Sequence, residues 1–221
     1  MKVERKEGNE KENMNRNRAK KILLACVGIL LIGIGVAWNA GAGLGNDPVA
    51  IFYDGIRNAL NLEAQQLGMA SNIVNFSLTV VLFIIGRRYV NWGTIIYILP
   101  YGLSVSIGTE LYTLIFAQPS MVGRVLASIL GCAIIYTGIA IYIAVDIGMD
   151  PMTGIAMVIK DKMHWDFKRA KWLFDGTMTL LGFLLGGKLG VITVITVLSA
   201  GPSIQGIAKC LTRALGSEVR D

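Results

Sequence analysis

Gly45-Asn46-Asp47-Pro48 returns 103 residues further on as Gly148-Met149-Asp150-Pro151, and the reading of the whole chain turns on that repetition. At the same offset Leu23, Gly28, Ile32, Gly35 and Ala37 match Leu126, Gly131, Ile135, Gly138 and Ala140. Beyond the corner the offset drifts to about 100, as one loop insertion or deletion would leave it. Gly86 then meets Gly186, Asn75 meets Asp175, Thr94 meets Thr193, and Gly102 and Ser104 meet Gly201 and Ser203. Two unrelated apolar helices would share leucines, but not a Gly-x-Asp-Pro at the same place in each half.

Around these matched segments lie the uncharged runs 22–46, 64–86, 89–109, 125–145 and 189–208. Each reaches the ~20 residues a helix needs to cross a hydrocarbon layer. With 53% apolar and 16% charged residues in a chain of 221, five such runs exceed what a soluble core could hide. Backbone hydrogen bonds must be satisfied internally in lipid, so the runs read as helices, and the alternation of a membrane barrel strand is missing. The run 170–187 contains Asp175 and would be a poor span alone; its match with 64–86 makes it a sixth. Residues 22–38 resemble a signal peptide, yet their twin at 122–145 makes them part of the fold.

The corner is chemically legible. Asp47 and Asp150 suit an N-cap, and Pro48 and Pro151 suit the first helical position, where no donor is lost. Gly45 and Gly148 can take backbone angles closed to other residues. The helices that follow, about 48–61 and 151–164, would be ~21 Å long, too short to cross. Each unit is therefore expected to hold three spans and one half-spanning helix, and an odd number inverts the second copy. The expected architecture is an all-α membrane protein with inverted 3+3 spans. A basic tail would occupy 1–19, repeats 20–115 and 120–212, and a C-terminal tail 213–221.

Charge places the N-terminus on the cytoplasmic side of a bacterial inner membrane, since Arg16, Arg18, Lys20 and Lys21 directly precede the first run. Residues 1–14, diluted by Glu4, Glu7, Glu10 and Glu12, read as a solvated and partly disordered tail. Of the 21 Lys and Arg residues, only Arg57, Arg124 and Lys188 fall outside with six spans. An eight-span parallel arrangement also leaves three outside, so the count does not choose between them, and the preference for six rests on helix length. The net charge of +6 comes largely from this flank, and no nucleic-acid partner is expected. Cys26, Cys132 and Cys210 form no spaced pair, and one histidine leaves no metal cluster to build. No nucleophile–base set can be assembled; neither an enzyme nor a cofactor is expected.

Gly-x-Asp-Pro after the first span, Gly68 and Asn75 in the next, and Gly93-Thr94-Ile95-Ile96 opening a later span resemble the YczE-like bacterial membrane proteins, themselves similar to the YitT-type family. The resemblance covers about 20–212. Where family members often carry a Gly-Pro-Trp-Asp-like corner, this chain has Gly-Asn-Asp-Pro and Gly-Met-Asp-Pro. It implies a polytopic membrane protein, with some members linked to natural-product synthesis or export.

Polar groups within spans are costly and need an account. Asn75, Asp175, Asp47, Pro48, Asp150, Pro151, Ser104 and Ser203 are the candidate substrate-binding set, with Ser106 and Gln205 beside the two serines. Asn75 equally suits a helix–helix hydrogen bond, and the serines can bond their own backbone. Lys160, Lys162, Lys168, Arg169 and Lys171, with Trp165 and Trp172, form a candidate cytoplasmic interface toward anionic lipid or a docking partner. The glycine spacings 41/45, 182/186 and 186/190 fit close helix packing. The first functional expectation is a small secondary transporter of a small molecule or ion. The second is a non-transporting accessory protein docking a cytoplasmic partner. The bilayer and a second copy of the chain complete the expected partners.

Overall fold

The computed structural model describes residues 2–90, 92–117, 120–145 and 150–215. All regular structure among them is helical: α1 (Lys2–Ala42), α2 (Pro48–Ala59), α3 (Leu67–Gly86), α4 (Trp92–Ile115), α5 (Met121–Val145), α6 (Pro151–Met163), α7 (Phe167–Leu184) and α8 (Val191–Leu215). Short 3-10 turns at Ala64–Gln66 and Arg87–Tyr89 precede α3 and follow it. Five segments are long and apolar enough to cross a membrane: Ala19–Ala42, Ala64–Tyr89, Gly93–Ile115, Met121–Val145 and Val191–Arg213. The chain has the helices of a membrane protein. α7, with Lys168, Arg169, Lys171 and Asp175 inside 18 residues, is not among the five.

α1 starts at Lys2, so most of the tail read as disordered belongs to a helix continuous with the first apolar run.

The centre of the bundle is the crossing of α1 and α5. Gly28 lies against Gly138 and Gly35 against Gly131, so the two helices run antiparallel. A methyl group at Gly35 would stand 2.6 Å from the Gly131 carbonyl oxygen, and one at Gly138 2.6 Å from that of Gly28. Axes come this close only where no Cβ intervenes. Around the crossing α1 packs on α4 as α5 packs on α8, α2 on α7 as α6 on α3, and α2 on α3 as α6 on α7. Glycine changes sides between corresponding pairs: Gly182 of α7 meets Ile51 of α2, whereas Gly154 of α6 meets Leu82 of α3. Ile51 and Leu82 are both fully buried.

α2 and α6 are about 18 and 20 Å long at 1.5 Å per residue, 12 and 13 residues each. Both end on a left-handed residue 103 positions apart, Asn61 with φ 54° and His164 with φ 55°. Asparagine tolerates that conformation better than histidine. His164→Gly is expected to raise stability by about 1 kcal/mol through relief of the left-handed cost, read as a higher unfolding temperature. A lower one would contradict the cap. Gly186, with φ 88°, closes the turn after α7 rather than serving as a packing glycine.

Candidate functional site

The site begins where α1 stops. Gly43 and Gly45, with φ 65° and 108°, turn the chain back after Ala42. Asn46 Nδ2 then donates to the Val36 carbonyl at 3.0 Å. The corner is thereby pinned six residues, about 9 Å, back along α1. It is also held from the far side by Ile192 N donating to the Leu44 carbonyl at 3.0 Å. As a result α2 starts inside the bundle. Asp47 Oδ1 caps it, accepting from Val49 N at 3.1 Å and Ala50 N at 3.2 Å, with Pro48 at the first turn. Asp150 caps α6 likewise, accepting from Thr153 N at 2.9 Å and Thr153 Oγ1 at 2.7 Å. Gly148 and Met149 lie outside the described residues.

The two helix starts approach one another across a layer of tyrosines. Tyr53 Oη stands 4.0 Å from Met152 Sδ, linking the middle of α2 to the first turn of α6. Tyr97 and Tyr101 of α4 stack at 5.1 Å, Tyr53 meets Tyr101 edge-on at 5.7 Å, and Tyr142 of α5 meets Tyr97 the same way. All four rings are buried. Both stacked tyrosines lie within electrostatic reach of Asp47 and Asp150 alike. Asn75 closes the layer: it is fully buried, and its Oδ1 accepts from Tyr53 Oη at 2.9 Å. Its Nδ2 has no hydrogen-bond partner among the described residues. A buried donor left open costs roughly 1–3 kcal/mol.

The predicted residues distribute unevenly around this layer. Asp47, Pro48, Asp150, Pro151 and Asn75 come together there. Asp175 sits at its edge, ion-paired with Lys171 one turn earlier on α7, and both lie within electrostatic reach of Asp47. Ser104 is buried, its hydroxyl donating to the Pro100 carbonyl at 2.5 Å, and it packs against Gly33 of α1. Ser203 is half-buried on α8. The tyrosines are what the sequence reading missed. Tyr97 and Tyr101, one turn apart in a span, were the available signal, because a buried phenol needs a partner for its hydroxyl.

The basic cluster does not form one uncompensated patch. Lys160 lies 3.8 Å from Asp161, Arg169 3.6 Å from Asp166, and Lys171 is held by Asp175. Lys162 is exposed on α6; the side chain of Lys168 on α7 lies outside the described residues. Asp161 also ties α6 to the α3–α4 turn, accepting from Tyr89 Oη and Arg88. The Tyr89 hydroxyl first, and the Arg88 and Lys160 charges with it, hold the Asp161 carboxyl below its ordinary 3.8. That tie is complete above the ordinary value and is lost as pH falls through the lowered one. On the opposite face, Asn58 Nδ2 donates to the Gly186 carbonyl at 2.6 Å and Lys188 N to Asp54 Oδ2 at 3.1 Å, tying α2 to the α7–α8 turn. Near that end a cavity of about 110 Å³ is lined by Asn39, Asn46, Asp54, Arg57, Tyr112 and Lys188.

Residues 19–209, which contain every element of this layer, match a family of unknown function, DUF6198. The chain belongs to that family. It is 26% identical over 195 residues to an uncharacterized protein of Haemophilus influenzae, covering 88% of this chain and 86% of that one. No solved structure matches.

Proposed function

We propose that the chain is a small secondary transporter of the bacterial inner membrane, made of two inverted repeats, α1–α4 and α5–α8. Each repeat holds three spans and one half-spanning helix. Exchanging α1–α4 for α5–α8 turns each helix pairing named above into another of the set. The glycine crossing exchanges into itself, since Gly28 and Gly35 correspond to Gly131 and Gly138. That self-matching pair is antiparallel, which supports inversion over a parallel, eight-span repeat. α7 then serves as the sixth span, with Lys168 and Arg169 in its first turn and Lys171 ion-paired with Asp175 further in. The N-terminus is cytoplasmic in this reading, with Arg57, Arg124 and Lys188 on the other side. The likeness to YczE-like proteins agrees with it.

One observation carries the proposal: two aspartate-capped helix starts flank one buried tyrosine layer inside an apolar bundle, beside the unpartnered Asn75 amide. Short helices ending near the midplane at matching positions are how many transporters build a site. Asp47 already takes the Val49 and Ala50 amides and Asp150 takes that of Thr153, so the groups chiefly offered to cargo are carboxylates, phenols and the Asn75 amide. A small polar molecule or ion suits them. The accessory reading loses support from the ion pairs that compensate Lys160, Arg169 and Lys171.

The test is a thermal-shift screen of purified protein against metabolites and ions. A ligand at 100 times its Kd adds about 2.7 kcal/mol to the wild type. That gain is expected to disappear in Asn75→Leu, each protein judged against itself without ligand, and compounds that pass are taken on to vesicle flux. A panel whose stabilising compounds act equally on both proteins sinks the site. Topology is read separately: a thiol placed at position 88 should label only from the cytoplasmic side, and labelling from outside sinks the inverted arrangement.

A further inference from the structure

The two repeats agree in almost every pairing, and they disagree in one. α3 packs along α4: Asn72 Oδ1 accepts from Gly102 N at 3.1 Å, and Gly68 presses on Gly102 and Ser106. α7 and α8 make no comparable packing among the described residues. A Cβ at Gly201, which corresponds to Gly102, would meet nothing within 4 Å. The α3–α4 contact lies far from the turn joining those helices, at Arg87–Tyr89. The matching level of α7 and α8 is likewise far from their joint. In an inverted pair these levels lie on opposite sides of the membrane.

Burial follows the same asymmetry. Asn75, on the packed side, is fully buried, whereas the Asp175 side chain, its counterpart, is 23% exposed. Asp47 and Asp150 are both half-buried, and Lys171 and Asp175 stand near Asp47. Pro100 and Pro202 interrupt α4 and α8 beside Gly102 and Gly201. A helix lacks one backbone hydrogen bond at such a place and bends there most readily.

We infer that the α3–α4 contact through Asn72 and Gly102 is a closed outer gate, and that α7 and α8 at Trp172 and Gly201 form the matching inner gate, held open. Exchange of the two arrangements between repeats produces the outward-facing state: α7 closes on α8 while Asn72 releases Gly102. This rests on the transporter reading and adds to it which contacts move. What covers the open face of Gly201 is α7 itself, as α3 covers Gly102.

The test is disulfide trapping in the full chain, with Cys26, Cys132 and Cys210 replaced by serine. The outer pair carries Asn72→Cys and Gly102→Cys; the inner pair carries Trp172→Cys and Gly201→Cys. Mild oxidation is expected to link the outer pair nearly completely and the inner pair weakly. Adding Gly102→Leu to the inner pair wedges the outer gate and should raise inner linkage about tenfold, a modest population shift. Asn72→Ala, which removes the hydrogen bond without adding bulk, should act in the same direction and serves if the leucine variant does not fold. Inner linkage unchanged in the folded variants, or complete before any wedge, overturns the gate. Either result leaves the inverted arrangement standing if position 88 still labels from the cytoplasm.

Discussion

Gly35→Leu is expected to leave no monodisperse folded protein after extraction from the membrane. Its side chain would enter the α1–α5 crossing, where even a methyl group meets the Gly131 carbonyl oxygen at 2.6 Å and the Ile135 amide nitrogen at 3.0 Å. Overpacking of a side-chain core costs roughly 1–3 kcal/mol because neighbours can change rotamer. Here the obstruction is backbone on a helix that also carries α8, so the cost should exceed that range. The control is Gly206→Ala on α8, where a Cβ would meet nothing within 4 Å. That change should be neutral or stabilise by about 0.5–1 kcal/mol, the helix preference of alanine over glycine. Size-exclusion profiles and thermal unfolding in detergent separate the two. If Gly35→Leu matches the wild type, the crossing is not where we place it, and the self-matching contact loses its basis.

Charge gives the second large effect, and its sign depends on pairing. Lys171 and Asp175 face each other one turn apart on α7, with side chains 34% and 23% exposed. Lys171→Met strands a carboxylate at the edge of the bundle, and Asp175→Leu strands an ammonium. Breaking a fully buried pair costs 3–5 kcal/mol; partial exposure discounts this to about 2 kcal/mol. The double variant Lys171→Met with Asp175→Leu removes both charges and should regain most of the loss, within about 1 kcal/mol of wild type. A double variant as unstable as the sum of the singles shows the pair is not what each residue is there for. Once a transported compound is in hand, a stable double variant that has lost flux assigns Asp175 a role beyond neutralising Lys171.

Much of this molecule is written in local chemistry. The apolar runs imply helices because the bilayer leaves the backbone no other way to satisfy its hydrogen bonds. Asp47-Pro48 and Asp150-Pro151 foretell two capped helix starts, since a carboxylate acceptor followed by a residue without a donor suits that position. The return of Gly-x-Asp-Pro after 103 residues is legible as well, as identity at fixed spacing. The basic segment before the first apolar run continues α1 without a break.

The sequence by itself determined that the chain is helical and membrane-like, and where its short helices begin. Only the tertiary structure decided that the corner folds back about 9 Å along α1, because one hydrogen bond from Asn46 to Val36 sets that depth. It also decided that Gly28 meets Gly138 rather than Gly131, which makes the crossing antiparallel. Spacing along a chain records which residues are alike, but the direction in which two helices pass is a property of their packing. The tyrosine layer and the open Asn75 amide depend on the same thing, for they arise from α2, α3, α4 and α5 meeting at one point. The inequality between α3–α4 and α7–α8 packing is likewise invisible in the sequence: two similar segments can hold two different arrangements when each is a separate packing minimum.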